Sequence, residues 1–593
     1  MLRNDGVIIS PLALQNNGSI ASLVNTGQIF GNIVSTSETD LSITGSGSAV
    51  FGQFRGFTGS PDTITNTASN VVFASGNIYL DDHINVGSHA VNVDGATLLV
   101  TGPINIFGNY NQGAAAILQI GVDTDGSSGS LDVSGSAVVA GGSTVVLEPH
   151  GYSFAQGQRY VVLQAANAGT DFNDDALNAS AIDFGGTVVG STVVEGGKSY
   201  LVLTLQNNGG SAAVTNLATT YNASASLGGI LNYSGINANM LNLFDAVTAI
   251  DSSAAANRAG DQLSPSANTA AAVESAAAST TEVQSVIGSH MDGLRLAQAQ
   301  GISGLSGGDS VKGAAVWGQA FGGQADQGMR EGLSGYRGRY NGVLLGADRQ
   351  LNDNLRLGGL FSYANTSATS QDNNAGSSAH VLSYGLMGYG GYTADRWYMD
   401  FSAGAVRHRF DTVRAVELTG FSDSAKGRFN GMQYVAAVRA GYPIKLQSNT
   451  TLTPIAGLGY SALQQDAYAE SSSNGAALSV DSGNTTSVRS ELAVKLERVF
   501  ASSYGDIVPS VQLGWRHQFN RDAQKSVARF VSDPDGSTGF TSVGAAQVAD
   551  TGVLALGVTL LHTSNLSLSA KYTLESASHF VAQSADLRMR YAF

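Results

Sequence analysis

Phe580-Val-Ala-Gln-Ser-Ala-Asp-Leu-Arg-Met-Arg-Tyr-Ala-Phe593 is the stretch that decides between two folds for this chain. Taken by twos, Phe593, Tyr591, Met589, Leu587 and Ala585 fall on one side, and Ala592, Arg590, Arg588, Asp586 and Ser584 on the other. Successive side chains of a strand point to opposite faces. One face is therefore apolar and the other carries three charges. That pattern fits a strand with lipid outside and a wet lumen inside. It also fits an amphipathic strand closing a soluble sandwich, and the residues upstream decide between the two.

From Gly313 to Phe593 the alternation recurs at near-regular spacing. Leu355, Leu357, Phe361 and Tyr363 share a face. Leu492, Val494 and Leu496 oppose Glu491, Lys495 and Glu497, and Ile507, Val511, Leu513 and Trp515 oppose Ser510, Gln512 and Arg516. Twelve strands are predicted, beginning near 314, 340, 355, 377, 397, 425, 450, 485, 505, 546, 566 and 580. An even number of strands of about 10 residues or more fits an outer-membrane barrel. Trp317, Tyr340, Trp397, Tyr398, Tyr442 and Tyr460, near strand ends, are expected at the membrane interfaces. Glu491, Lys495, Glu497, Arg516, Arg588 and Arg590 are expected to face the lumen and to line it rather than to catalyse. Hydrophobic residues make up 43% of the chain, yet no run approaches the roughly 18 that a membrane helix needs. In lipid that leaves a closed barrel, since hydrocarbon offers no partner to an unpaired backbone group.

Residues 1 to about 210 read differently. Short apolar runs alternate with Asn-Gly, Gly-Ser and Asp-Gly turns, as in Ala90-Val-Asn-Val-Asp-Gly95-Ala-Thr-Leu-Leu-Val100, with a loose period near 20. Such strands cannot bury themselves singly, but stacked rungs can. A right-handed parallel β-helix is the predicted architecture, a β-sandwich the alternative. Arg159–Leu163 and Lys198–Leu205 are stronger strands and are expected to close the stack. Leu241, Phe244, Val247 and Ile250 then fall at helical spacing, and Val273, Val283, Val286, Ile287, Met291 and Leu294 mark a long, thin helix over about 270–300. A Gly-Ser-rich stretch, Gly301 to Gly308, follows. The expected class is all-β: a β-helix over 1–215 with its C-terminal cap at about 130–215, a helical linker over 216–308, and a 12-stranded antiparallel transmembrane β-barrel over 309–593.

Composition agrees. Charged residues are only 13%, glycine is high at 74 and proline low at 9, which suits β-structure with tight turns. The net charge of −15 argues against nucleic acid as a partner. The absence of cysteine excludes a disulfide framework, a thiolate metal site and a cysteine nucleophile. Met1-Leu-Arg-Asn-Asp-Gly-Val-Ile-Ile-Ser has no basic start followed by an apolar core. An outer-membrane protein needs such a leader, so the expectation is that the sequence is a fragment or carries a misassigned start.

Several segments resemble the type Va autotransporters, the single-chain type V secretion proteins of Gram-negative bacteria. Ala314-Ala-Val-Trp-Gly-Gln-Ala-Phe321 is similar to that family's first barrel strand, Gly342-Val-Leu-Leu-Gly-Ala-Asp348 to its second, Leu513-Gly-Trp-Arg-His517 to a late one, and Tyr591-Ala-Phe593 to its terminal signal. Asp261-Gln-Leu-Ser-Pro265, before the helix, is a further piece. The resemblance covers 260–593 well and 130–260 moderately. It implies an outer-membrane location and a helix threading the lumen. It further implies an N-terminal passenger on the cell surface or released from it, with the barrel assembly machinery and periplasmic chaperones as partners. The machinery would read the terminal strand through Leu587, Met589, Tyr591 and Phe593. Some members cut themselves between two Asn residues in the lumenal helix; Val283 to Gln300 contains no Asn, so the cleavage site is left unassigned.

No cofactor and no catalytic residue is assigned. Gly308-Asp309-Ser310 superficially resembles the start of a lipase motif but lies at the helix-to-barrel junction. Asp81-Asp82-His83 is read as a solvated turn rather than a metal site, and Asp123-Thr-Asp125-Gly126 lacks the repeats or the later Glu that calcium loops use. The expected molecule is a monomeric autotransporter whose passenger is an adhesin or other surface-interaction module with an unknown ligand. A general pore, or an exported enzyme whose active part lies upstream, are the alternatives.

Overall fold

The computed structural model describes residues 1–18, 20–47, 49–206, 214–299, 314–447, 449–562 and 566–592. The Gly301–Gly308 stretch, Gly308-Asp309-Ser310 and Phe593 lie outside the described residues. The chain divides into two compact units, Met1–Val214 with Ser234–Asp251 and Leu418–Phe421, and Thr215–Tyr233 with Ser252–Glu417 and Ser422–Phe593.

The first unit is a stack of parallel strands. Its registers align three files of inward side chains: Leu2, Leu23, Ile43 and Phe73; Ile8, Ile29, Phe54 and Leu80; and Ile33, Ile64, Ile84, Ile106 and Val133. From Leu23, Ile29 and Ile33 onward these are buried, and each contributes about 1.5–3 kcal/mol only because a neighbouring rung covers it. Buried amides satisfy the corners: Asn4 donates to Asn25 at 2.8 Å, and Asn25 to the Gln53 carbonyl at 3.0 Å.

The stack ends on antiparallel strands. Arg159–Ala166 and Thr187–Glu195 both pair with Lys198–Gln206. The hairpin turn is Gly196-Gly197, both at positive φ (57° and 80°), as a two-residue turn between right-twisted strands requires. The helix Ala238–Thr248 covers this end: Asp245 Oδ1 accepts the Arg159 backbone N–H at 2.9 Å, and Phe244 lies beneath the Arg159 guanidinium.

The second unit contains the barrel. Its twelve strands are Ala314–Gln327, Tyr336–Gln350, Leu355–Ser370, Ser378–Thr393, Tyr398–Leu418, Phe421–Gly441, Thr450–Gln465, Gly483–Arg498, Gly505–Gln518, Asp550–Leu561, Leu566–Ala577 and Phe580–Ala592. Each neighbours the next. The first pairs with the last from Ala315↔Ala592 to Gln327↔Phe580, which closes the cylinder and leaves no edge. Connections at one end are short, such as 351–354 and 394–397. At the other end, 466–482 and 519–549 are long and fold back on themselves, contributing Tyr468–Ala469, Leu478–Val480, Lys525–Phe530 and Phe540–Val543 to a small four-stranded sheet. Long loops belong outside the cell and short turns in the periplasm.

The outer surface of the cylinder is apolar. Leu345, Leu386, Leu513 and Leu587 are 63–71% exposed, and Leu458, Leu492 and Met589 stand beside them in the outward set. Water-soluble monomers do not present so continuous a belt. Trp397, Tyr442, Phe500 and Tyr504 ring the short-turn end, and Tyr434, Tyr460, Trp515 and Tyr572 the other. Trp317, Tyr340 and Tyr398 do not belong to these rings, contrary to the sequence reading. Their parity in the strand turns them inward, where each covers an inward glycine of a neighbouring strand: Trp317 on Gly346, Tyr340 on Gly323, Tyr398 on Gly441. A Cβ on any of these glycines would collide with the ring.

Candidate functional site: the lumenal helix and its polar seat

A barrel this wide needs something in its lumen. The helix Ser266–Ala299 supplies it, and its composition sets how it fits. Val283, Val286, Ile287, Met291 and Leu294 form one apolar stripe, which packs on the inward residues Phe321, Leu344, Leu360, Met387 and Val406 of the first five strands. Much of the remaining surface is Ser, Thr, Gln and Gly, facing the later strands.

Two clusters fix the register. His290 stacks on Trp317 with ring centroids 4.3 Å apart, and its Nε2 donates to Asp348 Oδ2 at 2.7 Å. The Tyr389 hydroxyl donates to the same oxygen at 3.0 Å and accepts from the Trp317 indole at 2.7 Å, while Arg356 pairs with the other Asp348 oxygen. Two residues on, Asp292 receives three cations: Arg295 at 2.5 Å, Lys495 at 3.0 Å and Arg439 at 3.2 Å. Arg295 also reaches Asp400 at 2.6 Å and lies over the Tyr398 ring at 3.5 Å. Charges inside a membrane protein are usually paired in this way or face a water-filled cavity. Ser584 donates to Glu282, Arg489 to Thr281 and Gln284, and Lys571 to Ser285 and Ser289. The strands so recruited lie on all sides of the helix.

The residues singled out from sequence take these places. Glu491, Lys495, Glu497, Arg516, Arg588 and Arg590 are on the inner side of the wall. Lys495 bridges Asp292 and Glu497, the latter at 2.7 Å, and Arg516 joins Glu491 to Glu575. Arg588 donates to Ser569 at 3.0 Å, and the Nε of Arg590 has no hydrogen-bond partner among the described residues. Leu587, Met589 and Tyr591 are outward. Sequence reading missed His290, Asp292, Arg295, Asp348, Asp400 and Arg439. The one signal it had was charge in a helix otherwise built of Ala, Ser, Thr and aliphatics.

Polar cavities of about 240 and 180 Å³ run beside the helix. The first lies towards the long loops and is lined by Thr281, Glu282, Arg489 and Arg516; the second lies below it, among Asp292, Lys495, Lys571 and Arg588. Among the described residues no His, Asp and Glu cluster is arranged to hold a metal. No helix among them is long and apolar enough to cross a membrane; the crossing is made by strands.

A closed antiparallel barrel with an apolar belt, aromatic rings and a charged, helix-filled interior defines an integral outer-membrane protein. Residues 316–573 match the family model of the autotransporter beta-domain, and this part of the chain is an autotransporter beta-domain of the outer membrane. Among relatives, an extracellular serine protease of Serratia marcescens is 26% identical over 278 residues, covering 47% of this chain and 26% of that protein. Outer membrane protein B of Rickettsia rickettsii is 25% identical over 502 residues, covering 79% of this chain and 28% of that protein. The chain thus spans little more than a quarter of either relative's length. Among solved structures, the translocator domain of the autotransporter NalP from Neisseria meningitidis aligns at 17% identity, covering 54% of this chain and 97% of that one, with a TM-score of 0.42.

Proposed function

We propose that residues 309–593 are a translocator that carries residues 1–215 across the outer membrane and anchors them there as a surface-interaction module of adhesin type, with 216–308 as the linker between them. The observation that carries this reading is the helix Ser266–Ala299 running through a closed cylinder. A helix that comes before the barrel's first strand in the sequence, and lies seated in its lumen on His290 and Asp292, is the track of a chain that has passed through that lumen. The apolar, outward Leu587, Met589 and Tyr591, with Phe593, would be the strand read by the assembly machinery, and the edge-free cylinder suits a monomer. The passenger carries no catalytic assignment. The protease activity named for the Serratia relative belongs to a protein of which this chain matches only 26%.

The test is surface proteolysis of intact cells expressing the chain behind a leader peptide. Cleavage products of 1–215 with a protected fragment of about the barrel's size are expected. A passenger that resists protease until the outer membrane is broken would refute the proposal.

A further inference from the structure

The chain carries a net charge of −15, yet one side of the barrel's outer wall is basic. Six cations point outward from the second, fifth and sixth strands, on the long-loop side of the apolar belt: Arg337, Arg339, Arg407, Arg409, Lys426 and Arg428. Two acids stand with them, Asp326 paired to Arg337 at 2.5 Å and Asp411 between Arg409 and Arg428. The seventh to twelfth strands differ. Among their described residues, the only charged or imidazole side chains on the outward side of the long-loop half are His517 and Asp550, paired at 2.8 Å. A rim placed only to hold Lys and Arg heads in water would have no reason to favour one side, and translocation through the lumen makes no use of the outer wall.

Strand geometry places these cations in the membrane. From Trp397, in the short-turn ring, to Arg407 is ten residues, which is about 34 Å along the strand and roughly 25 Å along the membrane normal at a tilt of about 45°. That is the height of an apolar band, so Arg407 and Arg409 stand where hydrocarbon gives way to headgroups. Across the ladder Arg407 faces Tyr384 and Arg409 faces Leu382, and the Tyr384 ring lies 5.4 Å from that of Tyr363. Each guanidinium thus has an apolar neighbour. Asp411 sets two of the forks: Arg428 Nε donates to one of its oxygens at 2.5 Å, and Arg409 Nε lies 3.8 Å from the other. Both are engaged through Nε, and their terminal nitrogens have no partner among the described residues. These side chains are 71% and 51% exposed. Arg337 and Arg339 make a second basic pole three strands away, about 14 Å. Between the poles the outward residues Asn341, Asn365 and Ser367 are polar, and the Asn365 Oδ1 has no hydrogen-bond partner.

We infer that this face of the barrel binds an anionic glycolipid of the outer leaflet, one whose headgroup carries two phosphates joined by sugar. One phosphate sits in the forks of Arg407, Arg409 and Arg428, and the other beside Arg337 and Arg339. The sugar lies across Asn341, Asn365 and Ser367, and the acyl chains lie on the belt at Leu345, Phe361 and Leu386. Arginine forks take phosphate oxygens in pairs, and such charge-assisted bonds are roughly twice as strong as neutral ones. A zwitterionic phospholipid brings a single phosphate already accompanied by its own amine, and fills one pole only. The inference rests on the long-loop end facing the exterior, as the translocation reading has it.

The test titrates the purified full chain in detergent with lipopolysaccharide, with the same lipid stripped of its phosphates, with phosphatidylethanolamine and with sodium phosphate. Binding is read as a rise in the temperature of the heat-dependent gel transition, which also shows that each variant still forms a barrel. Lipopolysaccharide is expected to raise that temperature and the other three are not. Arg407→Gln with Arg409→Gln should weaken binding roughly thirtyfold, the loss of two cations at an anionic surface. Arg337→Gln with Arg339→Gln, at the other pole, should weaken it independently by a similar factor. Arg349→Gln with Arg396→Gln removes the same charge at the short-turn end and should change nothing. Folded variants of both poles that bind as tightly as the unaltered chain would overturn the inference. So would equal stabilisation by the stripped lipid or by phosphatidylethanolamine, or equal weakening by the short-turn pair. A rise produced by sodium phosphate alone would make this a site for free phosphate and overturn the lipid. Orientation is read separately, since the chain has no cysteine: Ala467→Cys, on the exposed 466–482 loop, should label in intact cells with a charged thiol reagent added outside. An unlabelled Ala467→Cys would overturn the outward orientation, and the outer-leaflet ligand with it, whatever the titration gives.

Discussion

The passenger stack and the barrel are built from the same period-two alternation with the faces exchanged. In the stack, Ile29, Phe54 and Leu80 point in and the charges point out; in the barrel, Leu386, Leu513 and Leu587 point out and the charges point in. Residues 1–215 hold 16 acidic and 4 basic side chains, most of them at the surface, with Asp82 buried. The barrel's lumenal charges instead are mostly paired or hydrogen-bonded, because the helix fills much of the interior and limits their contact with water. The pleat decides which residues share a side; the surrounding medium decides which side is apolar.

That contrast can be broken by exchanging what each face expects. The largest effect should come from Phe54→Ala, which opens a cavity in the stack and should cost the passenger about 3–5 kcal/mol. It would be read as a lower urea midpoint for surface-protease resistance, with the heat-dependent gel shift of the barrel unchanged. Leu386→Arg puts a cation against hydrocarbon and should cost about 2–4 kcal/mol of barrel stability, read as loss of the heat-modifiable band. Gly441→Ala pushes Tyr398 off its seat and should cost about 1–3 kcal/mol, read as a lower temperature for the same gel transition.

The smallest effect concerns pH. Asp82 is buried in the stack, one oxygen taking the Asp62 N–H and the other unpartnered, and burial pushes its carboxyl up to about 7. The folded passenger therefore holds this proton more tightly than the unfolded one. Passenger stability should rise by about 1 kcal/mol as the pH falls from 8 to 6, and Asp82→Asn should flatten that slope. A slope of the opposite sign in urea titrations would show that another group dominates.

Alternation was legible because it is local. Eight of the twelve strands begin within a residue of the positions read from sequence, and the stronger terminal strands of the stack were visible for the same reason. The interfacial rings were only half legible: Trp397, Tyr442 and Tyr460 are in them, but the aromatic preference for interfaces does not override the pleat at Trp317, Tyr340 and Tyr398. The seat of the helix was not legible at all. Asp292 gathers partners 3, 147 and 203 residues away, and no window of sequence holds them together. The helix Tyr221–Leu231 was hidden likewise, since Asn222 meets a backbone 321 residues downstream.

The seam between Ala315–Gln327 and Phe580–Ala592 also imposes a chronology. Neither strand can satisfy its outer backbone groups in lipid until the other arrives, and the second of them lies more than 250 residues after the first in the chain. Every residue of the N-terminal stack is therefore made before the cylinder can close. The waiting time is written into the order of the gene.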